Sequence, residues 1–211
     1  MSTSLGVDLG YGYIEHVIDK YCCTTAEEDL IEKAKALFAA DSGVSNPNLL
    51  ADDFRFEFPV VSLAKKAFVT AVSSFKIDEA MPDLDPHPYH WRVDPYEPNR
   101  VWFTVRASGT HTGTLRFNGS VFPPSGKTYL GAPECQSYTF NSAGQCTSYT
   151  GGYVMDRRVG NTQGLGALFG ILAALGGPVL TPGSPTYISL TVANSVRMGL
   201  TGVAAASFDQ Q

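Results

Sequence analysis

Apolar residues recur at helical spacing in two stretches near the start of the chain. Leu30, Ile31, Ala34, Leu37 and Phe38 share one face, Thr25 and Glu28 ahead of them form a capping-box pattern, and Asp41-Ser42-Gly43 ends the run. Ala67, Phe68, Ala71, Val72 and Phe75 form a second stripe, which predicts a helix over 63–75. Between the two, Phe54-Arg55-Phe56-Glu57-Phe58 alternates strictly and predicts a strand, ended or placed at a sheet edge by Pro59, with a turn of helix near 48–51 ahead of it. The proline-rich segment 81–88 is too broken to be regular. Beyond it the period changes to that of strands.

Strands are predicted over 89–93, from Val101 to Gly113, over 127–140 with a break near Gly131-Ala132-Pro133, and over 145–155. In the Val101–Gly113 strand, Val101, Phe103 and Val105 lie on one face, and unbroken alternation carries His111 onto the same face. Helix, strand, helix and then a run of antiparallel strands argue for an α+β fold, a strongly curved sheet with helices on its concave face. Residues 1–24 read as an irregular or partly helical arm rich in Tyr and Gly. From Gly160 the chain turns Gly-rich, apolar and nearly uncharged, with helices predicted over 164–175 and 187–204. Such a tail covers the open end of the sheet or mediates a subunit contact such as a homodimer.

Composition narrows the classes. At 44% hydrophobic and 17% charged, the 211 residues are those of a folded domain. Net charge is −5, and the closest cationic pairs are Lys65–Lys66 and Arg157–Arg158, so a nucleic-acid partner is not expected. No stretch approaches the ~20 apolar residues of a membrane span, and the first residues lack a signal-peptide pattern, although a removed presequence fits the same sequence. If Asn141 pairs Gly144 in a hairpin, Cys135 faces Thr150 and is out of disulfide register with Cys146, while Cys22 and Cys23 are adjacent. All four cysteines are therefore expected to be reduced, in a compartment such as cytoplasm or a plastid-like interior.

The polar residues that could carry chemistry are few. His111 can orient or protonate a carbonyl, or be a satisfied core histidine. Glu134, Gln136 and Tyr138 share a parity and bring acid, amide and phenol to one face, whereas Glu57 shares the outward parity of Arg55. Tyr89, Trp91, Phe103, Tyr149 and Tyr153 line a cavity for a flat apolar ligand or simply fill a core. The candidate substrate contacts are thus Tyr153, Tyr138, Glu134, Phe103 and Trp91. No metal or cofactor is expected. Asp85, His87 and His90 sit in a proline-broken loop without a fourth ligand, Gly126-Lys127-Thr128 has Val121 where a phosphate loop needs glycine, and the glycines of 164–170 have the wrong spacing for a dinucleotide fingerprint.

Four motifs in this order resemble the NTF2-like cone and, within it, the SnoaL-like polyketide cyclases: Leu50-Ala51-Asp52-Asp53, Met81-Pro82-Asp83-Leu84, Gly109-Thr110-His111-Thr112-Gly113 and Pro123-Pro124-Ser125-Gly126-Lys127. A weaker fifth is Phe140-Asn141-Ser142-Ala143-Gly144-Gln145, and the resemblance spans residues 25–160, leaving 161–211 as an apolar C-terminal extension. The resemblance implies an aspartate at the end of the last strand as acid/base, here Asp156, although about two extra residues before it can turn it out of the cone. The ketosteroid-isomerase branch of the fold places its base just before a Pro-Val pair, where this chain has Phe58. Two functions follow as expectations. One is a cofactor-independent cyclase, isomerase or lyase acting on a small hydrophobic carbonyl compound, with Asp156 moving the proton and His111, with Tyr153, stabilising the oxyanion. The other is a non-catalytic module that binds a hydrophobic ligand or a partner segment.

Overall fold

The computed structural model describes residues 25–117, 119–177, 179 and 183–197, so the arm read for residues 1–24 lies outside the described residues. Both apolar stripes form helices. In α1 (Thr25–Ala39) Ala34 and Leu37 are buried, and the helix stops where Asp41 and Ser42 take left-handed backbone angles. The alternating segment becomes β1 (Leu50–Phe58), which turns at Pro59-Val60 into β2 (Val61–Ala64). There follow α2 (Lys65–Phe75), a single turn α3 (Ile77–Ala80), β3 (Tyr89–Val93) and β4 (Arg100–Val105).

The strand expected to run from Val101 to Gly113 is broken. β4 stops at Val105, the chain steps across at Arg106-Ala107, and β5 (Ser108–Thr110) pairs with a different partner. Arg106 donates its N–H to the Pro86 carbonyl and Ala107 accepts from Gly131, so the ladder bonds of a continuous strand are redirected. Parity therefore does not carry across to His111. The next segment forms a small ribbon, β6 (Leu115–Phe117) with β7 (Ser120–Phe122), and β8 (Thr128–Leu130) pairs with β5. The expected break at Gly131-Ala132-Pro133 separates β8 from β9 (Glu134–Phe140), and β10 (Cys146–Val154) completes the sheet.

The main sheet has six strands in the order β2-β1-β10-β9-β4-β3, with β1 and β10 parallel and the other neighbours antiparallel. It is curved and does not close, and α1 lies over β3 and β4. There Trp91 stacks on Phe103 with centroids 4.3 Å apart, and Phe38 meets both rings edge-on. The β9–β10 register differs from the expected one. Cys135 pairs with Tyr153 instead of Thr150, because the ladder slips between Cys146 and Ser148 and again between Thr150 and Tyr153. The second slip falls at Gly151-Gly152, where Gly152 has φ of 74°. Cys135 and Cys146 are free thiols, and burial pushes the Cys146 thiol up to about 12; Cys22 and Cys23 lie outside the described residues.

The apolar tail contributes α4 (Ala167–Leu175) and α5 (Pro185–Arg197); positions 198–204 of the second predicted helix lie outside the described residues. α4 packs against β8 in a second core with Met81, Leu115, Tyr129 and Leu172. α5 is held to the edge of the sheet by Asn194, whose Nδ2 donates to the Phe58 carbonyl at 3.0 Å, and it leaves Ile188, Val192 and Val196 exposed. Among the described residues no helix is long and apolar enough to cross a membrane.

Candidate functional site

The sheet's curvature leaves a cavity of ≈ 370 Å³ between it and the helices. β1 supplies Phe56 and Phe58, and α2 supplies Phe68, Val72 and Phe75. Phe117 of β6 and Leu168, Phe169 and Ile171 of α4 close the far side. The rings pack against one another, with Phe56 5.0 Å from Tyr149 and Phe58 5.6 Å from Phe169 between centroids. The wall is therefore a continuous apolar surface of a size that suits a small organic ligand.

Into this wall β9 sets Glu134 and Gln136, on one face because they are two residues apart in a strand. Glu134 is only 3% exposed. Its Oε1 accepts the Ala167 N–H at the head of α4 at 2.7 Å, and its Oε2 has only a 3.5 Å contact with Gln136 Nε2. Gln136 is oriented by Tyr149, whose hydroxyl donates to Gln136 Oε1 at 2.9 Å. Burial disfavours the carboxylate and outweighs the two hydrogen bonds that favour it, pushing Glu134 up to about 7. Burial likewise raises Tyr129 and Tyr149 above their usual range, and the Glu134 charge adds to this. Both phenols are thus neutral when Glu134 titrates. A carboxyl that exchanges its proton near neutrality, inside an apolar chamber, suits general acid–base work.

α4 is brought to Glu134 by a close approach of two backbones. A Cβ on Gly166 would lie 2.6 Å from the Gly152 carbonyl oxygen, so glycine at 166 lets the helix start against the β10 bulge. The helix N-terminus also favours the ionised form of the carboxyl that it touches.

The other candidates are dispersed. Tyr138 shares the parity of Glu134 but is wholly buried behind the cavity wall, its hydroxyl 2.6 Å from Ser42 Oγ. Tyr138→Phe is expected to cost about 1 kcal/mol, read as a lower urea midpoint, because its buried hydroxyl loses the hydrogen bond with half-buried Ser42. Phe103 and Trp91 belong to the α1 core and do not border the cavity. Tyr153 is 40% exposed and turned to the opposite face by the slip at Gly151-Gly152, beside Glu57 and Tyr187.

Asp156 is not in the chamber. β10 ends at Val154, and the exposed Asp156 carboxylate pairs with Arg158, Nε to Oδ1 at 3.2 Å. That side chain and the Arg158 backbone N–H hold it below the usual carboxylate range. It has neither the apolar surroundings nor the proton affinity of a base for carbon acids.

His111 is buried at 1% exposure but lies outside the cavity lining. Its Nδ1 is 3.0 Å from Ser125 Oγ, its Nε2 has no hydrogen-bond partner, and burial lowers its pKa from 6.5. The fold thus keeps the ring neutral. As pH drops below about 6.5 the unfolded chain takes up the proton first, so this residue removes stability toward acid. His111→Gln should remove that contribution, read as a stability difference from wild type that grows in the variant's favour as denaturation curves are taken from about pH 7.5 down to about pH 5.

Sequence reasoning missed three contributors. Asp41 and Ser42 at the cavity mouth carried only the signal of a helix stop, and the Ala167 N–H is a backbone group. The helical period of 164–175 found α4, but only the three-dimensional packing makes it a cavity wall. Among the described residues no cluster of His, Cys, Asp and Glu could hold a metal, and Asp85 and His87 form an exposed pair at 3.2 Å.

No family model and no curated protein matches the sequence. Solved structures do resemble the fold. A candidate SnoaL-like polyketide cyclase from Jannaschia sp. CCS1 superposes with a TM-score of 0.52 at 18% identity, over 74% of this chain and 98% of that one. AclR, a candidate hydroxylase from Streptomyces galilaeus, gives 0.50 at 16% identity, over 83% and 98%. A candidate polyketide cyclase from Xanthomonas campestris pv. campestris gives 0.49 at 16% identity, over 64% and 97%. The chain has the NTF2-like cone fold in the form shared with SnoaL-like proteins, and within that cone it holds an apolar pocket.

Proposed function

We propose that this protein is a cofactor-independent enzyme, a cyclase, isomerase or lyase in reaction class, that moves a proton on a small hydrophobic carbonyl compound, with Glu134 as the acid/base. The observation that carries this reading is the placement of one nearly inaccessible carboxyl, poised near neutrality, in the wall of an aromatic chamber. As carboxylate, Glu134 can take a proton from the carbon next to a carbonyl. As carboxylic acid it can return that proton or donate to the oxygen. The Gln136 amide, held by Tyr149, offers an N–H at the same spot for the charge that develops on that oxygen.

This reading gives Glu134 the role that the sequence suggested for Asp156 and His111, and it is supported by neither of those two bordering the cavity. The test is hydrogen–deuterium exchange at the α-carbon of apolar cyclic ketones and β-dicarbonyls, followed by proton NMR. Wild type and Asp156→Asn should catalyse exchange equally, and Glu134→Gln should lose about 100-fold or more, the usual scale for a lost general base. Exchange that survives Glu134→Gln but disappears in Asp156→Asn would overturn the assignment.

A further inference from the structure

The charges around the cavity are one-sided. Among the described residues two carboxyl groups border it, Glu134 within and Asp41 at the mouth, and no lysine, arginine or histidine does. Asp41 accepts from Ser45 and stays exposed, while among the described residues Glu134 is met by the Ala167 N–H and the distant Gln136 amide and by no cation. Lys65 and Lys127 are held elsewhere, Lys65 by the Leu50 carbonyl at 2.7 Å and Lys127 by the Leu175 carbonyl at 2.6 Å. A buried carboxylate without a counter-ion is electrostatically unfinished.

The rest of the wall favours the same sign. Phe56, Phe58, Phe68, Phe117 and Phe169, with Tyr149, surround the space, and a ring whose face meets a cation that has left water attracts it. A carboxylate or phosphate in the chamber would meet the opposite situation: a negative neighbour and, among the described residues, no cation to pair with.

We propose that the chamber selects hydrophobic amines in their protonated form over neutral molecules of the same skeleton, and rejects carboxylates and phosphates. It rests on the functional reading only for the site, and narrows the substrate to a carbonyl compound that carries an amino group. Free acids, phosphate esters and coenzyme thioesters are excluded as substrates. Because Glu134 must be ionised to pair with the amine, the preference grows as pH rises through its titration. The groups facing it are Tyr129 from β8, Tyr149 from β10, Gln136 from β9 and the α4 N-terminus. None is a cation, and both phenols stay neutral in this range.

The test uses the full chain and three matched probes, 2-naphthylmethylamine, 2-naphthylmethanol and 2-naphthoic acid, titrated by calorimetry. At about pH 8 the amine should bind at least about tenfold tighter than the alcohol, and the acid at least about tenfold weaker. The amine's advantage should shrink at about pH 6, and in Glu134→Gln amine and alcohol should fall within about threefold. The proposal is overturned if the acid matches the alcohol, if the amine's advantage survives in Glu134→Gln, or if the amine shows no saturable binding. Amine selectivity without proton exchange on any ketone would sink the catalytic reading alone. Exchange without amine selectivity would sink this one alone.

Discussion

Glu134→Gln makes the protein more stable at about pH 8, by about 1–3 kcal/mol, while removing its proton-transfer activity. The sign follows from the cavity. The carboxyl titrates at about 7 in the fold and at an ordinary 4.5 when unfolded, so the folded state holds an extra proton between these values. Stability therefore declines as pH rises through that window, and the full cost of burying the charge is present above about 7. A displacement of that size corresponds to about 3 kcal/mol at most. The glutamine keeps an acceptor for the Ala167 N–H but adds an amide donor that must find a partner, which lowers the net gain. The gain should shrink to under about 1 kcal/mol near about pH 5, where the folded wild type is uncharged at this position and the linkage is almost exhausted. Urea denaturation at the two pH values measures it. Equal stability of variant and wild type at both would mean that the carboxylate is not desolvated. A residue that weakens the fold from within a cavity wall is what a stability–activity compromise looks like.

Gly152→Ala unfolds or severely weakens the protein, by about 2–5 kcal/mol. A Cβ at this position would lie 1.7 Å from Cε2 of Phe58, and the backbone φ of 74° is one that side chains other than glycine's resist. Phe58 cannot simply swing away, since its buried ring rests 5.9 Å from Phe56 and 5.6 Å from Phe169 between centroids. Gly119→Ala is the matched control. Its φ is 77°, but nothing lies within 4 Å of the added carbon, so it carries the conformational cost alone, about 1–2 kcal/mol. The difference between the two variants in thermal or urea midpoint isolates the steric contribution. Equal losses would show that the β10 bulge does not press on the cavity wall.

The same bulge marks the limit of what the sequence reveals. Helical stripes and strand alternation are local, so α1, α2, β1 and β9 could be read from period alone, and the parity of Glu134 with Gln136 came with them. Register is set by cross-strand partners, and single-residue slips leave no trace in a hydrophobic pattern. The slip at Gly151-Gly152 moved Tyr153 outward. Asp156 was misplaced for a simpler reason: β10 ends two residues before it. His111 failed because alternation was carried through Arg106-Ala107, where the chain changes sheets. The role of Glu134 as a cavity residue depended on α4, whose N-terminus arrives from 33 positions further along the chain. Parity showed which residues share a face, and only the tail's packing shows that this face is a chamber wall.

The most direct test is a titration of the Glu134 side-chain carboxyl by carbon-13 NMR, assigned by the resonance that Glu134→Gln removes. The expected midpoint is near 7, well above the 4.5 of an ordinary glutamate. A midpoint at or below that ordinary value would show that water or a hidden cation reaches the carboxylate, and would contradict both the proton-transfer role and the amine-selective chamber.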